Sequence, residues 1–333
     1  MRYLAGYLAG AATILVAVGV SGCHRQLSEE ERYAALPPCA DRDCDCGDFV
    51  SQHIAQDVLT AFEEDYFGLD QDGNGQACER LPQADLSLDR ETYFSNNEHL
   101  MLGNLSNAGP ANSDNLLIER EQYALSYSQS LNRLNWASWW VDSRWLGYTG
   151  RQDDFRQDGS LPAGFYQVTS DEFRRSGYDR GHMVPSGDRT ANARDNSLTF
   201  LMSNIFPQAQ ANNRGPWREL EEYGRRLVEN QGKSLYVMGG VYGNKGKAGK
   251  VTIPGRTWKV IVVLDHINDE VTRRTDVIAV DMPNSDEIED DWREYATTVD
   301  RIEIATGYDL LSDVPEEIQA IVESQKEDFG DSL

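Results

Sequence analysis

The sequence predicts a mixed α+β domain, and three observations carry that expectation. The runs SLYVMGGV (Ser234 to Val241), WKVIVVLD (Trp258 to Asp265) and TDVIAVD (Thr275 to Asp281) are short, apolar and rich in β-branched residues, as buried strands are. The stretch PWRELEEYGRRLVEN (Pro216 to Asn230) spaces Trp217, Leu220, Leu227 and Val228 as one helix face, with Pro216 suited to the first turn and Gly224 against it. Strands that precede a helix and resume after it at hairpin-like separations favour a mixed α+β arrangement.

In chain order, residues 1–22 read as an export signal: Arg2 precedes an uncharged run rich in Ala, Leu, Val and Gly. The run closes in Val20-Ser21-Gly22-Cys23, which resembles a bacterial lipobox and implies cleavage before Cys23 and acylation of its thiol. An ordinary cleaved signal and an uncleaved anchor are the alternatives, the latter diluted by Gly and Ser. Residues 23–38 read as a polar tether, 39–81 as a compact cysteine-bearing unit, 82–110 as a linker, 111–315 as the main body and 316–333 as an acidic tail. Within the body Tyr123, Leu125 and Tyr127 alternate with small or polar neighbours, as in a strand with one buried face. Trp136, Trp139, Trp140 and Trp145 are spaced densely enough for core rather than base stacking.

The formal charge of −24 opposes nucleic-acid binding, but its distribution does not. Residues 1–130 carry −14, residues 131–260 carry +6 and residues 261–333 carry −16, so the centre is the only basic third. Of five cysteines, acylation of Cys23 leaves Cys39, Cys44, Cys46 and Cys78, an even set with three connectivities in an oxidising compartment. Zinc is the poorer reading, because Cys44 and Cys46 have a single residue between them and no histidine but His53 stands near Cys78.

Within the small unit, LDQDGNGQACE (Leu69 to Glu79) begins like a calcium loop. Asp70, Asp72 and Asn74 offer hard oxygens at alternating positions and Gly75 allows the sharp turn, but Leu81 stands where an EF-hand needs a bidentate Glu. The block from Cys44 to Glu79 instead resembles the Excalibur calcium-binding module. That resemblance implies Ca²⁺ held by Asp70, Asp72, Asn74 and Glu79, with a disulfide between Cys46 and Cys78. An ion-free acidic turn is the bland alternative.

The chemistry concentrates around YDRGHMVPS (Tyr178 to Ser186). A lone histidine is usually structural, but His182 beside Arg180, with Gly181 allowing close backbone approach to a ligand, suits attack of water on a phosphodiester. Further on, QANNRGPWRELEEYGR supplies Asn213, Glu221 and Arg225, the last two sharing a helix face. Taken alone, Glu221 and Arg225 are a solvated ion pair and the paired asparagines a helix cap.

Together, RQDDFR (Arg151 to Arg156), LPAGFYQVT, SGYDRGHMVPSGDRT, FLMSNIFPQAQANNRGPWRELEEYGR and the blocks from NDEVTRRTDVIAVDMPN to TGYDLLSDVP resemble the DNA/RNA non-specific endonuclease family over residues 111–315. The resemblance implies a ββα-metal nuclease fold, a central largely antiparallel sheet flanked by helices. It implies His182 as general base and Asn213 as the direct protein ligand of a hydrated Mg²⁺ or Mn²⁺. Glu221 would hold metal-bound water, Arg151, Arg180 and Arg225 would face the scissile phosphate, and Asp179 would be structural. Met183 departs from the family pattern in a way that should touch packing only. DNA and RNA are the implied substrates, with a membrane reached through lipidated Cys23 and a protein inhibitor as further partners. The competing readings are a non-catalytic calcium-binding surface lipoprotein and a phosphodiesterase of small molecules.

Overall fold

The computed structural model describes residues 97–267 and 269–326, the segment 68–79, and Cys46, Gln52, Ala55, Gln56, Leu59 and Asp65. The expected export signal, Cys23, Cys39, Cys44 and residues 82–96 of the expected linker lie outside these. The chain divides into two units, Met1–Ala84 and Asp85–Leu333.

In the second unit the strands are β1 (Leu116–Glu119), β2 (Ala124–Ser128), β3 (Arg133–Val141), β4 (Tyr178–His182), β5 (Ile205–Ala209), β6 (Ser234–Tyr242), β7 (Lys247–Ala248), β8 (Val251–Thr252), β9 (Arg256–Leu264), β10 (Asp276–Pro283) and β11 (Ala296–Thr297). The α-helices are α1 (Ala193–Leu198), α2 (Gln210–Arg214), α3 (Pro216–Gln231), α4 (Val299–Thr306) and α5 (Glu316–Val322). Seven strands form one antiparallel sheet in the order β1-β2-β3-β6-β9-β10-β11, while β4 pairs with β5 and β7 with β8. The three apolar runs are the central strands β6, β9 and β10.

Side chains alternate across a strand, so a continuous apolar run needs cover on both faces. Trp139, Val237, Ile261, Ile278 and Val280 pack on one face against Trp217, Leu220, Leu227 and Val228 of α3. Trp136, Trp140, Tyr236, Met238, Trp258 and Val260 pack on the other against Val299 and Ile302 of α4, with Leu310, Leu311 and Val322. The sheet is therefore the middle layer of three. Helix α3 has Pro216 in its first turn and ends at Gly232, whose φ of 68° is the left-handed cap that glycine adopts without strain. Gly224 belongs in it because a Cβ there would come within 3.3 Å of Leu235 Cδ1, so the missing side chain lets helix and sheet approach.

Three expectations change. Strand β2 is buried along its whole length, since Ser126 and Ser128 are covered too and donate to Asn115 Oδ1 and Asp114 Oδ1 at 2.7 and 2.9 Å. Part of the expected linker is core: Leu105 and Ala108 join the second apolar layer and His99 is fully buried. The expected tail begins as helix α5, with Val322 buried in that same layer. Polar composition misled the reading of both segments, because a few apolar anchors suffice to dock them.

His99 shows how the docked segment is fixed. Its Nε2 lies 2.7 Å from the Glu121 carbonyl and its Nδ1 accepts from Trp140 N at 3.2 Å, which assigns the proton to Nε2. Burial, reinforced by Arg189, lowers its pKa to about 3. Below pH 6.5 the unfolded chain binds the proton and the folded one does not, so stability falls as pH drops from 6.5 toward 3. The slope is at most about 1.4 kcal/mol per pH unit per such histidine. Denaturant titrations between pH 7 and 4 should show this decline, and His99→Gln should reduce it; an unchanged slope in the variant would rule out His99 as its source.

Candidate active site

Strand β4 carries the motif residues and presents Arg180 and His182 on the same face, two positions apart. The imidazole of His182 stands edge-on to Phe200 at 4.8 Å and tilted against Phe155 at 5.4 Å between ring centroids. Those two phenylalanines pack edge to face at 5.0 Å and form a platform for cations as well. The Arg180 guanidinium lies 3.9 Å above Phe155, and that of Arg151 lies 4.7 Å from the Phe200 centroid. The platform thus gathers Arg151, Arg180 and His182. Phe155 is part of RQDDFR, which explains an aromatic position within that polar block.

His182 is 8% exposed, and its Nε2 is buried without a hydrogen-bond partner, leaving Nδ1 as the nitrogen open to the surface. Burial, then the charges of Arg151 and Arg180, lower its pKa to about 3. At neutral pH the ring is an uncharged proton acceptor beside two fixed cations.

Gly181 has a different reason from the expected one. A Cβ there would lie 2.2 Å from Gln208 Oε1, so glycine makes room for a side chain of the paired strand rather than for a ligand. Gln208 Nε2 donates to Asn212 Oδ1 at 2.6 Å, and Asn212 Nδ2 donates to the Pro283 carbonyl at 3.0 Å, tying the start of α2 to the main sheet. Buried Asn284 adds to this tie by accepting from Ala209 N and donating to the Pro207 and Pro254 carbonyls. The asparagine pair is therefore an anchor followed by the candidate metal ligand, not a cap.

That residue is Asn213. Its Nδ2 donates to Asp179 Oδ2 at 3.0 Å, while Arg214 donates to both oxygens of the same carboxylate at 2.8 Å. Burial raises the Asp179 pKa, but the bonds from Arg214 and Asn213 outweigh it and hold the carboxyl below its usual range. With Nδ2 engaged, Asn213 presents Oδ1, which has no protein partner among the described residues. Asp179 thereby fixes which atom of the amide is offered, a positioning role.

Glu221 and Arg225 share a face of α3 but do not pair with each other. Arg225 Nη1 donates to Asp188 Oδ1 at 2.8 Å, and Trp139 Nε1 donates to Asp188 Oδ2 at 2.9 Å. Asp188 belongs to the turn Ser186–Asp188 that follows the motif, and Ser186 Oγ accepts from Arg151 Nη1 at 3.0 Å. Gly187 between them leaves room for the Arg225 guanidinium, whose Nη1 would lie 2.8 Å from a Cβ there. One turn thus joins Arg151 and Arg225, which are far apart in sequence.

Glu221 instead accepts from Lys259 Nζ at 3.1 Å. The Lys259 side chain is 2% exposed and lies 4.1 Å from the Trp217 ring centroid and 5.5 Å from that of Trp139. Burial pushes the Glu221 carboxyl up, with Lys259 and Arg225 pulling against it. Sequence reasoning missed Lys259, Asp188, Phe155 and Phe200. The first had a signal, since a lysine inside WKVIVVLD falls on a strand read as buried and so requires a partner. Met183, the departure from the family pattern, is fully buried with its sulfur over Gly239, a packing role.

In the first unit, Asp70, Asp72, Asn74 and Glu79 converge on one another. Asp70 accepts from Asn74 N and Gly75 N, and Asn74 Nδ2 reaches Asp72 Oδ2 and Glu79 Oε1, both at 2.9 Å. The bond from Gly75 N is the main reason the Asp70 carboxyl lies below its usual range. Gln56, which the sequence did not single out, closes the loop through Gly75 O and Ala77 N. A Cys46–Cys78 disulfide, with Cα atoms 5.4 Å apart, fastens its end.

Comparison with known proteins agrees with the fold and the motif blocks. Residues 103–317 match the model of the DNA/RNA non-specific endonuclease family. A nuclease of Nostoc sp. (strain PCC 7120 / SAG 25.82 / UTEX 2576) is 50% identical over 234 residues, 68% of this chain and 85% of its own. Human mitochondrial endonuclease G is 33% identical over 129 residues, 37% of this chain and 42% of its own. Among solved structures, that of the EndoG/EndoGI complex, which concerns the mechanism of EndoG inhibition, superposes with a TM-score of 0.55 at 23% identity. It covers 69% of this chain and 96% of that one, a likeness of the ββα-metal nuclease fold. The chain belongs to the DNA/RNA non-specific endonuclease family, hydrolases of phosphodiester bonds that use a divalent metal.

Proposed function

We propose that this endonuclease cleaves DNA and RNA with little sequence preference, using His182 as general base and a Mg²⁺ or Mn²⁺ ion held through Asn213. The observation that carries this reading is the neutral, partnerless His182 between Arg151 and Arg180, with the Asn213 Oδ1 left free by Asp179. The donor set fits the ion: a hydrated Mg²⁺ accepts few protein ligands, and one amide oxygen with a carboxylate behind it can suffice. When bound, the ion supplies charge neutralisation at the phosphoryl group and the leaving oxygen. His182 Nδ1 takes the proton from water as its oxygen attacks phosphorus, and the bond from phosphorus to the leaving oxygen breaks, that oxygen taking a proton from solvent water. Arg151, Arg180 and Arg225 stabilise the negative charge that grows on the phosphoryl oxygens. The Glu221 carboxylate orients water, provided it is ionised. Contacts to phosphate carry no base information, so both nucleic acids are accepted.

The same reading places the protein outside the cytoplasm, anchored by acylated Cys23, with a calcium-binding N-terminal unit. The lipobox-like Val20-Ser21-Gly22-Cys23 and the Cys46–Cys78 disulfide support it. Because the EndoG neighbour was solved with an inhibitor, we extend the proposal to a protein inhibitor for this chain. A non-catalytic binding role is disfavoured by the intact His182, Asn213 and Glu221.

Digestion of plasmid and of RNA with Mg²⁺ or Mn²⁺ tests the proposal. His182→Ala should lower the rate on both by about 10²-fold or more; equal rates would end the mechanism.

Lys259→Met removes the cation facing Glu221 and should push that carboxyl further up. The acid limb of the kcat/KM profile should then move to higher pH, with activity partly recovered on going from pH 6 to 9. A uniform loss at every pH would assign Lys259 a purely structural role.

For the N-terminal unit, added Ca²⁺ should slow hydrogen exchange of the 68–79 amides in the full chain. Asp70→Ala should abolish the effect, and its persistence would show that the loop is not the binding site.

A further inference from the structure

A cluster on the face of the sheet opposite α3 has no part in phosphodiester hydrolysis. Asp300 lies in the first turn of α4, and Glu303 follows one turn later on the same side. Glu323 caps α5, and its carbonyl accepts from Asp300 N at 3.2 Å. Oxygens of the three carboxylates all lie within 4.8 Å of one another.

Acidic clusters on a surface are ordinary, but Glu323 is not a surface group. It is 6% exposed, and its Oε1 is buried without a hydrogen-bond partner. The charges acting on it are those of Glu303, Asp300 and Asp309, all acidic, and its pKa is raised by burial first and by those neighbours next. Glu303 has partial relief, since its Oε1 accepts from Leu310 N at 2.8 Å, but Asp309 and Asp300 act on it in the same unfavourable sense. A buried carboxylate facing other carboxylates, with no donor to its Oε1 and no lysine or arginine acting on it among the described residues, needs a proton or a cation.

The spacing favours a cation. Two oxygens bound to one Ca²⁺ at about 2.3–2.6 Å stand at most about 5 Å apart, so carboxylate oxygens within 4.8 Å of one another need only small side-chain adjustments to close on one ion. The donors are hard oxygens from two helices, and three carboxylates leave room for the waters that complete a flexible shell. Mg²⁺ requires shorter bonds in a near-ideal octahedron and dehydrates reluctantly, so it suits the cluster less.

We propose that Asp300, Glu303 and Glu323 form a calcium-type site that fastens helix α5 to helix α4. The ion neutralises a cluster that no cation among the described residues neutralises and locks helix α5 over the second apolar layer. Its place in the fold, at the end of the chain and across the sheet from α3, gives it a structural rather than a chemical role.

Hydrogen exchange followed by mass spectrometry on the full chain at pH 7.5, with and without Ca²⁺ at about 1–5 mM, tests the site. The expected result is exchange slowed about 10-fold or more in peptides from 299–306 and 316–326. Glu323→Gln and Asp300→Asn should each remove the Ca²⁺ response there while keeping Mg²⁺-dependent nuclease activity and the separate response of 68–79. No Ca²⁺ effect on these helices in the unaltered chain would overturn the proposal, as would an equal effect in both variants. Protection that grows on lowering the pH to 5.5 and ignores Ca²⁺ would overturn it too, showing that a shared proton neutralises the cluster.

Discussion

The buried carboxylate of Asp188 is the constraint on which the site's geometry depends. Its two oxygens bind Trp139 from the central sheet and Arg225 from α3. A carboxylate at 5% exposure is tolerated only with such donors, so sheet, turn and helix are bound to one arrangement. The turn that carries Asp188 also carries Ser186, which holds Arg151. Removing the carboxylate would leave a buried guanidinium and a buried indole N–H without acceptors, a larger loss than the net worth of either bond.

A second buried pair repeats that logic deeper in the layer. Lys259 and Glu221 neutralise each other against the faces of two tryptophans, and Arg225 lies close enough to act on Glu221 as well. Asp188, Arg225, Glu221 and Lys259 therefore alternate in sign from the turn to the middle of the sheet. Such a chain resists rearrangement because moving one member exposes the next to uncompensated burial. Under the proposed mechanism that rigidity keeps Glu221 and Arg225 of one helix in register with residues from loops and from a different hairpin.

Much of this was legible in the sequence wherever a local pattern carries it. The apolar runs announced β6, β9 and β10, because no solvated strand can be apolar on both faces, and the motif blocks pointed to His182, Asn213 and Glu221, on which the proposed mechanism rests. What was not legible depends on pairing across distance. Phe155 and Phe200 look like any core aromatics until folding sets them under two guanidinium groups, and Gly181 looked like a gap for a ligand until β5 brought Gln208 against it. Asp188 sits in a turn sequence that reads as solvent-facing. Lys259 is the instructive case: its strand was read as buried, and a buried lysine implies an acid, but sequence alone could not say that the acid was Glu221.

The charge balance follows from the same pairings. Although the central third of the chain is net positive, its site cations are already committed: Arg225 to Asp188, Arg214 to Asp179 and Lys259 to Glu221. Arg180 is stacked on Phe155, and Arg151 shares its charge with exposed Asp153 at 3.4 Å. The positive potential offered to a polyanion is thus local, made chiefly by Arg151 and Arg180, whereas the acidic remainder of the chain repels beyond about one Debye length of 8–10 Å. Affinity for the polymer must then come from the scissile phosphate and its immediate neighbours rather than from a long basic track. An enzyme bound in that way reads little of the bases and little of the helix shape, which is the physical basis for the proposed action on DNA and RNA alike.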